Sequence, residues 1–112
     1  MSGVVGGEYD RWYPGPGVPE NVEVFAHSPL VCNGKASYGD MTYYTAPSGA
    51  GVFACGTQTW TTNLDQKVML QPIIDMTTNV LLALGPGPAG QRLPSQSNTQ
   101  GLSTTAPVAA ND

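Results

Sequence analysis

Apolar and polar residues alternate from Val22 to Ser28, with Val22, Val24 and Ala26 on one side and Glu23, Phe25 and His27 on the other. A period of two predicts a strand over 22–28. Pro29, which has no N–H for a ladder, predicts its end. Two further runs have strand character: "MTYYTA" (41–46) is β-branched and aromatic, and "VFACG" (52–56) is short and apolar. The "PSGAG" segment between them has the length and glycine content of a hairpin loop. "SGVVGG" (2–7) is an apolar run closed by a glycine pair and reads as another short buried strand. Two segments read as loops. One is Glu8–Asn21, with Pro14, Pro16 and Pro19 in its second half; the other is "PLVCNGKASYGD", with a turn at Asn33-Gly34.

The period changes in "QPIIDMTTNVLLALG", where Ile73, Ile74, Met76, Val80, Leu81 and Leu84 fall largely on one stripe. This predicts a helix over 72–84. Pro72 suits a first helical position, where its missing N–H has no partner to lose. Asp75 would meet the positive end of the helix, Gly85 suits the residue just past the last turn, and Pro86 blocks continuation.

Short apolar strands such as "SGVVG" and "VFACG" read as buried on both faces, as the central strands of an α/β sheet are. One helix covers only one sheet face. The pattern therefore predicts the end of a larger α/β domain, with a single-helix α+β miniature as the other arrangement. From Gly85 to Asp112 there is no aromatic residue, and Pro, Gly, Ser, Thr, Gln and Ala dominate. Such a stretch buries too little to offset its ordering entropy, so 85–112 is expected to be a disordered tail after a folded unit over 1–84.

The 112 residues hold one domain at most, with 14 glycines, 10 prolines, 11% charged residues and a net charge of −4. Arg11, Lys35, Lys67 and Arg92 are scattered, which argues against a nucleic-acid partner, because neutralising phosphates takes a basic patch. No apolar run approaches the ~20 residues of a membrane span. The start "MSGVVGGEYD" has neither the basic opening nor the long apolar core of a signal peptide, so the expected compartment is the cytoplasm. Cys32 and Cys55 do not form a CxxC pair, and Cys55 reads as a small core residue.

Three residues are candidates for acid–base chemistry. Glu8 and Asp10 follow a predicted strand, at the kind of strand end where α/β sheets gather ligands; solvated loop acids, or Asp10 paired with Arg11, are the plainer alternative. His27 ends a strand and would need a nucleophile and an orienting acid to act as a base. Ser28 points to the opposite face, and Cys32 could approach only through loop folding. The "SGAG" stretch fits neither a P-loop nor GxGxxG, since it leads into a strand with no following Lys, and reads as a turn.

The blocks "VVGGEYDR" (4–11), "VFAHSP" (24–29), "DMTYYTAPSGAGVFACGTQTW" (40–60) and "NLD" (63–65) resemble, in the same order, the C-terminal region of the N,N-dimethylformamidase large-subunit (beta) family, over about residues 3–84. The long middle block is the specific one. The resemblance implies the C-terminal part of a class I glutamine amidotransferase-like three-layer α/β domain in a bacterial protein. It also implies a parent activity, hydrolysis of small N-substituted amides. In the family this activity uses a mononuclear iron held by tyrosine and glutamate. Those ligands lie upstream of the matched blocks, so no cofactor is expected in this chain, and iron belongs to the full-length family. Tyr43 and Tyr44 are the candidates here for phenolate ligation, with core packing as their plainer role. The expected function is that of a truncated or split amidohydrolase fragment, inactive alone, whose partner is the missing part of the domain. The alternative is a small non-catalytic module that docks on a partner chain.

Overall fold

The computed structural model describes residues 4–65 and 70–105. Three antiparallel strands form one sheet in the order β1-β2-β3, with β1 spanning Glu23–Cys32, β2 Lys35–Thr45 and β3 Gly51–Ala54. Two short 3-10 turns, Gln58–Trp60 and Thr62–Leu64, lead to helix α1, Gln71–Leu84, and a single turn of helix, α2, spans Ala89–Arg92. The fold is mixed α/β. Among the described residues the strands are antiparallel, and β2 and β3 form the hairpin expected from the sequence. No helix of the described residues is long and apolar enough to cross a membrane.

Asn33 and Gly34 sit at φ of 50° and 74°, so they form the two-residue turn whose twist matches that of the flanking strands. Cys32 pairs with Lys35 on either side, and the ladder then runs back without a break to Ala26 and Met41. The segment expected as a loop is therefore two strand arms, and the predicted strands 22–28 and 41–46 both extend to this turn. Pro29 does not end β1. It pairs with Tyr38 in an edge strand, where a missing N–H can face away from the ladder.

A register shift between Val24 and Ala26 places a bulge at Phe25. One extra residue reverses the facing of everything beyond it. Val24 pairs with Thr42, Ala26 with Met41 and His27 with Asp40. Phe25 and Ala26 thus both lie on the face of Met41 and Tyr43, and His27 joins Val24 on the face of Asp40 and Thr42. Simple alternation had put His27 beside Phe25.

The core forms where α1 covers the Met41 face. Met41, Trp60 and Ile73 are buried together, with Ala26, Phe53, Cys55 and Met76 packed on them. Trp60 anchors the helix as its position suggests: its Nε1–H donates to Thr77 Oγ1 at 3.0 Å, and its ring meets Phe53 edge-on. The helix agrees closely with the predicted span, although Leu81 is 67% exposed and lies outside the buried stripe. Gly85 keeps a right-handed conformation and does not form a left-handed cap.

Two expected strands change character. β3 is an edge strand with Val52 and Ala54 exposed, so it is not buried on both faces. Of the predicted strand 2–7, residues 2 and 3 lie outside the described residues. The remainder makes only isolated bridges, Gly6 to Glu8 and Tyr9 to Thr57. The loop that follows is tied down by its backbone: Asp10 N–H donates to Gly56 C=O and Asp10 C=O accepts from Asp40 N–H, both at 2.9 Å.

The expected disorder of the tail is corrected over residues 85–105; residues 106–112 lie outside the described residues. The tail is held largely by polar bonds, with Ala89 of α2 also buried. Tyr43 Oη–H donates to Leu93 C=O at 2.8 Å, and Ser95 Oγ accepts from Thr45 N–H at 3.0 Å. Asn98 accepts from Val24 N–H at 2.7 Å and donates to Val24 C=O at 2.8 Å, closing the free edge of β1. Composition registers apolar content and misses side-chain amides and hydroxyls that substitute for a neighbouring strand.

Candidate functional site

His27 and Asp40 face each other directly across the β1–β2 ladder. Nδ1 of His27 lies 2.6 Å from Oδ1 of Asp40. The Asp40 side chain is 1% exposed and that of His27 20%. The second carboxylate oxygen, Oδ2, accepts from Trp12 N–H at 2.8 Å. Both oxygens of a buried acid are therefore engaged, as burial of such a group requires. Between its backbone and its side chain, Asp40 fastens Asp10–Trp12 onto the sheet.

Aromatic and cationic groups surround the pair. The His27 ring stacks on Tyr38 with centroids 3.9 Å apart. The Arg11 guanidinium lies 5.6 Å from the Tyr38 ring centre and 5.1 Å from that of Tyr13, within cation–π range. One guanidinium N–H donates to Thr104 C=O, which brings the end of the described tail to the same neighbourhood. Nε2 of His27 and Nε of Arg11 are buried without a hydrogen-bond partner among the described residues.

Chemically, an acid holding Nδ1–H leaves the lone pair on Nε2, the arrangement that orients an imidazole as base or acceptor. The orienting acid that His27 required is thus present. The nucleophile is not supplied by the residues considered from sequence. Ser28 faces the α1 side with Gly39 opposite it. Cys32 lies five residues along β1, about 16 Å from His27 at strand rise, and is exposed. Cys55 is half-buried on the core side, its thiol directed at Thr57 C=O.

The remaining candidates are not brought together. Glu8 and Asp10 carry exposed side chains, and their pairing is through backbone groups. Tyr43 is buried against Phe25 with its hydroxyl committed to Leu93 C=O. Tyr44, the next residue on β2, faces the opposite side, beside the loop at Val18–Pro19. Two adjacent strand tyrosines on opposite faces cannot share one ion. Among the described residues no group of three or more His, Cys, Asp or Glu side chains is placed to hold a metal. Among the described residues, Tyr43 and Tyr44 are therefore not placed to ligate an ion together.

Asp40, Tyr38, Arg11 and the Trp12 amide were absent from the sequence candidates. The signal was available: counting equal steps back from Cys32 and forward from Lys35 across the Asn33-Gly34 turn brings His27 opposite Asp40.

No curated protein matches the chain, and no solved structure does. The family model described as N,N-dimethylformamidase beta subunit-like, C-terminal, matches residues 1–73. That span covers most of the chain and includes β1, β2, β3 and both members of the His27–Asp40 pair. The chain therefore belongs to the N,N-dimethylformamidase beta subunit-like family, in which it corresponds to the C-terminal part.

Proposed function

We propose that this chain is a non-catalytic C-terminal unit of an amidohydrolase acting on small N-substituted amides. It completes the fold of the catalytic part and turns over no substrate by itself. The observation that carries this reading is the family match over residues 1–73. In this reading β1–β3 and α1 are the closing elements of a larger class I glutamine amidotransferase-like domain. Its partner is the remainder of that domain, and iron, where the enzyme uses it, is held outside this unit. The exposed Leu81 and Leu82 of α1 and the edge of β3, unpaired among the described residues, support the reading, since apolar helix faces and unpaired edges are where neighbouring elements add. His27–Asp40 then serves as a polar staple that fixes the N-terminal segment to the hairpin.

The test is complementation. A dimethylformamidase beta subunit trimmed of its C-terminal part is mixed with this chain. Co-elution of the two and recovery of amide hydrolysis is the expected result. Absence of any association over a range of concentrations would count against it.

The orphaned Nε2 of His27 favours a second reading, in which the staple also presents a base or acceptor to a group brought by the partner. Under that reading His27→Gln lowers activity of the reconstituted complex without weakening association, whereas a purely structural staple lowers both together.

A further inference from the structure

The bulge in β1 has a second consequence, on the α1 side of the sheet. It turns Phe25 towards Tyr43 and Phe53, with ring centres 6.0 Å from Tyr43 and 6.4 Å from Phe53, the latter pair tilted by 40°. Glu23 pairs with Tyr43 across the ladder and so shares this face. These four side chains, with Leu84 of α1 and Leu93 of the tail, line a cavity of about 290 Å³ that opens to solvent. Phe25 is 53% exposed there, unusual for a large aromatic side chain on the core side of a sheet.

The polar inventory of this cavity is one-sided. Among the described residues Glu23 is the one charged residue lining it, and the Tyr43 hydroxyl already donates its hydrogen bond to Leu93 C=O. The Glu23 carboxylate receives a long bond, 3.5 Å from Gln96 N–H, which leaves most of its acceptor capacity open. The rest of the lining is aliphatic. The side chains therefore offer π systems, alkyl surface and a carboxylate, and no free donor. An anion would be repelled, and a neutral alkyl group would gain only apolar contact. A cation gains from the carboxylate and from the aromatic rings together.

We propose that this cavity is a binding site for a small methylated ammonium ion. Aromatic side chains with one acid are the recognised means of holding such ions, because the diffuse charge is weakly hydrated and the methyl groups pack on apolar surface. The volume lies at the lower end of ligand pockets and is ample for a small ion. The chain's net charge of −4 favours the same sign of ligand. This inference stands apart from the amidohydrolase reading and does not depend on it.

The experiment is a proton NMR titration of the whole 112-residue chain with tetramethylammonium chloride, at ionic strength held constant with sodium chloride. A parallel titration uses 2,2-dimethylpropan-1-ol, a neutral molecule of similar shape. The expected result is saturable shifts of the Phe25, Tyr43 and Phe53 ring signals with the cation, and affinity for the alcohol lower by about five- to twentyfold. Glu23→Gln and Phe25→Leu each weaken cation binding several-fold and leave alcohol binding nearly unchanged. Equal binding of cation and alcohol would reduce the site to an apolar cleft and overturn the proposal. Absence of saturable shifts would do the same, as would folded variants that bind the cation like the parent. Should a variant fail to fold, the cation–alcohol comparison on the parent chain decides alone.

Discussion

Asp40 grips two segments at once: Oδ1 holds His27 of the neighbouring strand at 2.6 Å, and Oδ2 holds the Trp12 amide of the N-terminal loop at 2.8 Å. Asp40→Ala leaves a buried imidazole N–H and a backbone N–H without acceptors, so a loss of about 2–4 kcal/mol is expected. Asp40→Asn has a single oxygen and can satisfy one donor only; its cost falls to about 1–2 kcal/mol. Urea unfolding of the two variants beside the parent measures both, and the order alanine worse than asparagine is the diagnostic result.

Gly56 and Gly34 both take positive φ, 72° and 74°, yet they differ in surroundings. A Cβ on Gly34 meets nothing within 4 Å, whereas one on Gly56 would lie 1.9 Å from Asp40 C=O. Gly34→Ala should cost about 1–2 kcal/mol, the left-handed penalty alone. Gly56→Ala adds a backbone clash and should cost at least ~3 kcal/mol, because the β2 backbone must move. Thermal melting of both variants checks the difference.

Asn98 replaces a missing strand at Val24. Asn98→Ala removes both bonds and frees the β1 edge, for about 1–2 kcal/mol. The clearer signature is local: hydrogen exchange at Val24 N–H accelerates, while exchange at β2 positions such as Thr42 stays close to that of the parent.

Along α1, Ile73 is 1% exposed and Leu82 is 70% exposed. Ile73→Ala should cost about 2–5 kcal/mol, and Leu82→Ala within about 0.5 kcal/mol. If Leu82 belongs to a docking face, the same substitution weakens association with the trimmed dimethylformamidase subunit. Stability and association are then affected by different residues of one helix.

How far the sequence could be read depended on whether a signal was local. The helix was legible because its apolar spacing and its Pro72 start act within a few residues. So was the β2–β3 hairpin, whose loop needs Gly49 at a φ of 88°. Gly51, at the end of the same loop, has a spatial role instead: a Cβ there would press on the Tyr43 hydroxyl and Leu84. The bulge at Phe25 left no local mark, because two adjacent residues on one face look like ordinary alternation until the partner strand is known. It alone decides which side His27 occupies. The tail was illegible for another reason. Its order comes from Ser95 and Asn98 bonding to strand backbones far away in sequence, which composition cannot register. Asp40 fell within an expected loop, and only the Asn33-Gly34 turn, followed through to its register, brings it to His27.

The central claim is that this member of the family folds around its polar staple and does not by itself cleave amides. Release of dimethylamine from dimethylformamide, followed with the purified chain and with its His27→Ala variant, tests this most directly. No release above the buffer blank is expected for either protein. Turnover by the parent chain that the variant abolishes would contradict it, and would make the His27–Asp40 pair catalytic machinery.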